Sequence, residues 1–239
     1  MYREFEEFVF NNYDVKEEAI IRKYYHSKRV AVLSKKIAEN IGLDYHSIKL
    51  ATQIGLLHDI ARFYEWTTMH SFINNGFDHG SYGVYLLNKN DYYKEFSVLE
   101  SDKQNLYDAI YYHNKRQLPN KLKNNKYCLI IRDADKIDIL YSLSQHFLYD
   151  NDRSHIINPK VLKQFNKEVT VKNKEIHSYA DRVLHLLAFV YDINYDYSLK
   201  LIYDFKYLDK IYDNLENKEF YQDYFNKIKK YIEKRLNIC

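Results

Sequence analysis

The stretch "GLLHDIARF" (residues 55–63) sets a histidine and an aspartate side by side inside an apolar run. Leu56 and Leu57 precede the pair, and Ile60 and Ala61 follow it. A helix should bury this face, and a carboxylate buried without a partner costs several kcal/mol, roughly, or is neutralised. Either His58 and Asp59 satisfy each other, or the pair holds something positively charged. The residues around them decide which.

Working outward, nearly every segment repeats its apolar residues at the helical period. Asp14 is placed to cap a helix over 15–41, with the stripe Ile20, Tyr24, Ala31, Ser34, Ala38 and Ile41, ended by Gly42. Asp44 caps a second helix that turns Ile48, Ala51 and Ile54 inward and carries His58–Asp59 at its C-terminal end. An aromatic-rich loop is expected over 63–78, then a helix from about His79 with Val84 and Leu87. Ser101 is the expected cap of the next, whose inner face is Leu106, Ile110 and His113. Residues 126–143 read as a helix with Ile130, Ala134 and Ile137 on one face, and 178–192, 196–214 and 217–236 as three more. The stretch 146–176 carries the weakest pattern, which makes it the expected junction between a core, 1–145, and a C-terminal helical extension, 146–239.

Composition points the same way. Five glycines and two prolines in 239 residues are too few turn formers for an all-β fold, so the fold class is all-α. No strand is followed by GxGxxG or GxxxxGK, which excludes the usual nucleotide-cradling loops. Two cysteines, Cys128 and Cys239, make no disulfide framework. The longest apolar run, "VLHLLAFVY" (183–191), falls well short of the about 20 residues a membrane span needs. With no secretory signal in "MYREFEEFVF", the expected compartment is the cytoplasm. A net charge of +3, from 36 basic and 33 acidic residues, gives no nucleic-acid signature.

The polar residues that interrupt apolar faces form a series. His26 lies in "KYYHSKRVAVL", His58 and Asp59 in the opening stretch, His79 in "GFDHGSYGVYLL", His113 in "AIYYHNK", and a set of aspartates in "IIRDADKIDIL". On that last helix Asp133 and Asp135 stand about 200° apart and cannot serve one site; Asp135 shares the more apolar face with Ile131 and Cys128. One buried histidine is usually a hydrogen-bonded core residue. Four histidine segments and a late aspartate, each on its own helix, are a pattern.

Over roughly residues 18–145 that pattern resembles the HD-domain superfamily of metal-dependent phosphohydrolases, marked by an isolated His, an adjacent His-Asp and a distant Asp. The segments "LLHDIARF", "DHGSYGVYLL", "YYHNK" and "IIRDADKIDIL" stand in the family's order. The resemblance implies an HD-type helical bundle in which His26, His58, Asp59 and Asp135 bind one divalent ion. His79 and His113 match the additional ligands of the two-metal branch, where Asp59 would bridge to a second ion. Fe, Mn, Zn or Ni suits such mixed imidazole and carboxylate ligands. The resemblance further implies cleavage of a phosphate ester or anhydride of a nucleotide or other small phosphorylated metabolite, with a metal-bridging hydroxide as nucleophile. Asp59 and Arg62 are then the expected catalytic residues.

Arg62 stands where the family usually has Lys, keeping the cation and adding a fork suited to phosphate. The run "KRQLPNKLKNNK" (115–126) carries five cations and no acid, so Lys115, together with Arg62 and with Lys136 of the Ala-Asp-Lys motif, is an expected substrate contact. Two alternatives stay open: a di-iron oxygenase using the same six ligands, and a catalytically silent nucleotide-binding module. The Gly-Tyr-Pro of the cyclic-di-GMP phosphodiesterases is missing. Residues 146–239 would close the pocket or form the surface of a homodimer.

Overall fold

The computed structural model describes residues 1–72, 76–145 and 155–238. Among them all regular structure is helical, with no strand, as the composition required. Among the described residues no helix is long and apolar enough to cross a membrane. The chain divides into two compact units, Met1–Asp135 and Lys136–Cys239. Cys239 and His146 lie outside the described residues, and the expected junction at 146–176 does so in part.

In the first unit, α1 (Tyr2–Asn12) precedes α2 (Glu18–Asn40) and α3 (Tyr45–Leu57). The sequence reading passed over α1, yet Phe5 and Val9 share one face at helical spacing and are fully buried, Phe5 stacking on Tyr24. Helix α2 starts later than the pattern suggested, because Asp14 accepts from the Lys16 amide in a turn instead of capping it. It ends as expected at Gly42, whose φ of 74° closes the helix while the Leu43 amide donates to Ala38 O at 3.1 Å. Asp44 caps α3 through the Ser47 amide at 2.9 Å. The short connection lays α3 along α2.

Their closest approach is at Gly55, where a Cβ would stand 2.6 Å from Ser34 Oγ, 2.8 Å from Ala31 Cα and 2.9 Å from Val30 O. Two of these are backbone atoms that cannot swing aside. Gly55→Ala should therefore cost about 1–3 kcal/mol in denaturant unfolding by overpacking. An unchanged midpoint would show the two helices to be less tightly seated than this.

Helix α4 (Ile60–Met69) corrects the expected loop over 63–78. Thr67 and Thr68 donate their hydroxyls to the carbonyls four residues back, at 2.9 Å each, and Phe63 is fully buried, so these aromatic and hydroxylated residues fit a helix. It ends at His70, in the left-handed region at φ 46°. Helix α5 (His79–Asn88) starts at His79, with Asp78 as its cap. Helix α6 (Lys103–Tyr112) has its cap one residue beyond the expected one: Ser101 lies within a 3-10 turn, Glu100–Asp102, and Asp102 takes the N-cap position while its carboxylate goes to His46 at 3.0 Å. Helix α7 (Lys126–Gln145) carries the "RDADK" motif.

The second unit contains α8 (Pro159–Asn166), α9 (Tyr179–Leu187), α10 (Asp196–Asp204), α11 (Tyr207–Asp213) and α12 (Lys218–Leu236). Helix α8, inside the weakly patterned stretch, starts at an Asn158 cap followed by Pro159. The helix expected over 196–214 is broken at Lys206, whose φ is 54°. Ser178 and Asp181 form a capping box on α9.

His185 on α9 packs its ring against Phe189, with centroids 4.9 Å apart. Burial pushes its pKa down to about 4, against a small opposing contribution from the Val171 backbone. The unfolded chain therefore takes up a proton near pH 6.5, well before the folded one does. Stability present above pH 6.5 is lost as the pH falls toward about 4, by about 3 kcal/mol from this group. His185→Leu should flatten that part of a melting-temperature profile; an unaltered acid limb would assign the loss to other groups.

Candidate metal centre

The break between α3 and α4 is the pair His58–Asp59 itself. It directs both side chains into the first unit, where the spacing of the other elements brings four more donors. His26 comes from the middle of α2, His79 from the first residue of α5, His113 from the end of α6 and Asp135 from α7. All six sequence-assigned ligands come together.

The arrangement has two halves that share Asp59. On one side, His26 Nε2 lies 3.3 Å from His58 Nε2, 3.3 Å from Asp135 Oδ1 and 3.4 Å from Asp59 Oδ2. His58 Nε2 is 3.6 Å from both carboxylates. On the other, His79 Nε2 and His113 Nε2 are 3.1 Å apart and lie 3.6 and 3.5 Å from Asp59 Oδ1. Ligand atoms about 2.1 Å from one ion, at roughly 90–110° to each other, are separated by about 3.0–3.4 Å. Both halves have close to that spacing before any cation is considered, and His26, His58 and Asp59, and Asp59, His79 and His113, each form a group able to hold one.

Ring orientation agrees. His58 directs Nδ1 at Gly55 O, 2.8 Å away, and His113 directs Nδ1 at Ile110 O, 2.7 Å away. Donation there leaves each Nε2 lone pair aimed into the cluster, the usual tautomer of a metal-bound imidazole. Burial lowers the pKa of His79 well below its ordinary value and lowers that of His113, so both rings stay neutral. Burial would raise Asp59 and Asp135. Against it the Lys23 ammonium acts most strongly on Asp59 and the His26 hydrogen bond most strongly on Asp135, and both are held well below the usual carboxylate range. Buried lone pairs and two anionic carboxylates converging on so small a volume are a donor set that fits divalent cations.

The expected cations are placed differently from one another. Arg62 lies beside the cluster, its Nε 3.7 Å from Asp59 Oδ1, but its Nη1 donates to the buried Glu65 at 2.7 Å. Lys115 is ion-paired with Asp78, the cap that precedes His79. Lys136 pairs with Asp192 at 2.8 Å within the second unit.

Sequence reasoning missed four supporting residues. Lys23, one turn before His26, reaches Asp59 Oδ2 at 2.7 Å. Arg132, in the same motif as Asp135, donates to the carbonyls of Tyr112 (3.0 Å) and Arg116 (3.2 Å), which holds the chain around His113. Gly80 lets α5 meet α6, since a Cβ there would stand 2.9 Å from Tyr111 O. Glu65 neutralises Arg62.

Residues 24–140 match the family model of the HD domain. This span encloses all six clustered residues, so the similarity to HD domains, which bind divalent metals, falls on the same segment as the donor cluster. No curated protein and no solved structure matches the chain.

Proposed function

We propose that the protein is a phosphohydrolase that binds two divalent ions and cleaves a phosphate ester or anhydride of a small metabolite. The observation that carries this reading is the division of the Asp59 carboxylate, with Oδ2 turned to His26 and His58 and Oδ1 to His79 and His113. A carboxylate so placed could serve two ions, of which His26, His58 and Asp135 would hold one and His79 and His113 the other. Bound there, the ions supply Lewis acidity and an acidified water for attack at phosphorus. Arg62 holds positive charge 3.7 Å from Asp59, where charge builds on the phosphoryl oxygens in the transition state. Glu65 fixes the guanidinium so that it need not reorganise.

The test is metal analysis of protein purified without chelators, followed by a phosphate ester and nucleotide panel with manganese and with ferrous iron, under air and under nitrogen. Two metal equivalents and hydrolysis indifferent to oxygen are expected. Turnover that requires dioxygen would transfer the site to oxygenase chemistry, and metal binding with no turnover on any substrate would leave a binding module.

A further inference from the structure

Lys23 sits at the edge of this centre in a way the ligand set alone does not require. Its ammonium donates to Asp59 Oδ2, the same oxygen that His26 and His58 approach. Its side chain is 19% exposed while that of Asp59 is 4% exposed, so Lys23 is the part of the pair that solvent reaches. The ring of Phe72 lies under the ammonium, 5.5 Å away, and under the Arg62 guanidinium, 5.4 Å away. One aromatic ring thus spaces two cations beside one carboxylate. Arg62 is committed to Glu65. Among the described residues Lys23 forms its ion pair with Asp59, and an ammonium has three donors.

We propose that Lys23 binds the phosphoryl group of the substrate and makes the centre prefer the dianion of a phosphate monoester to the monoanion of a diester. The proposal rests on the two-ion reading above. A divalent ion that shares Asp59 Oδ2 competes with the ammonium for that oxygen and repels it. An anion placed between them relieves both. Two carboxylates against two divalent ions leave two positive charges unbalanced, and Lys23 adds a third. Each fixed positive charge attracts a dianion twice as strongly as a monoanion at the same distance. Lysine, a compact point charge on a flexible stem, can follow the phosphoryl group without losing its hold on Asp59.

The experiment is calorimetric binding of inorganic phosphate and of dimethyl phosphate at pH 8 to the full chain at saturating manganese, with metal content measured in parallel. The wild type should bind phosphate more tightly than dimethyl phosphate. Lys23→Met should weaken phosphate about 10- to 100-fold, the worth of one charge-assisted hydrogen bond, and dimethyl phosphate much less. Its metal content should be equal or higher, and Lys23→Arg should recover most of the phosphate affinity. Phosphate affinity unchanged in Lys23→Met, equal weakening of both anions, or a loss that tracks lost metal would overturn the proposal, the last making Lys23 only a counter-ion of Asp59. Wild-type protein that binds neither anion would overturn it too. Because the readout is equilibrium binding, a failure to hydrolyse any ester would count against the phosphohydrolase reading alone.

Discussion

Asp59→Ala should strip metal from both halves of the centre in one step. In the proposed two-ion reading every other ligand serves one half: His26 and His58 lie around Oδ2 with Asp135 beside them, and His79 and His113 lie around Oδ1. His79→Ala should therefore leave close to one equivalent of metal, while Asp59→Ala should leave little of either. Removing Asp59 also leaves Lys23 with no carboxylate at 2.7 Å and sets its charge directly against an incoming cation. The rate should fall by at least about three powers of ten, since a catalytic ion supplies several kcal/mol of transition-state stabilisation and about 1.4 kcal/mol is worth a factor of ten. The measurements are metal stoichiometry on desalted protein and initial rates at saturating manganese. An Asp59→Ala protein that keeps one full equivalent of metal would mean that the carboxylate belongs to one half only and that the centre is not bridged.

How much of this was legible beforehand depended on whether the information lay along the chain or between its segments. The six clustered residues were readable because each is a polar residue on an otherwise apolar helical face, in an order that resembles a known pattern. Helical geometry showed only that Asp133 and Asp135 cannot serve one site; the Ala134-Asp135-Lys136 match to the HD pattern chose Asp135. The supporting residues were not readable. Lys23 and Glu65 look like solvated charges, and only the folding of α2 against α3 and α4 brings the first to Asp59 and buries the second beside Arg62. Arg132 looked like part of a charged motif until its guanidinium met the carbonyls at the end of α6. Gly55 carried no turn signal, because its role is to permit an approach rather than to bend the backbone. Helix boundaries failed where local preference is weak. Lys206 breaks a helix without any glycine or proline to announce it, and α4 is built from aromatic residues that, by themselves, suit a loop as well.

Arg62→Ala should lower the rate by about two to three powers of ten, the cost of one lost charge-assisted contact to oxygens whose charge grows in the transition state. The structure adds a complication that the sequence could not supply. Glu65 is fully buried, and taking away the guanidinium 2.7 Å from it removes a cation from a carboxylate that has no access to water. Breaking such a pair from one side costs about 3–5 kcal/mol of stability. A slow Arg62→Ala enzyme could therefore be slow because its centre is distorted. The double variant Arg62→Ala/Glu65→Gln separates the two effects, since the uncharged amide no longer needs the cation. Its melting temperature should return most of the way to wild type while the rate stays low. Arg62→Lys should recover part of the rate, because the charge persists without the fork. Metal content should be intact in all three, since neither residue is a ligand. If the double variant regained rate together with stability, Arg62 would act only by supporting α4, and the charge on the phosphoryl oxygens would be met by the other groups of the centre.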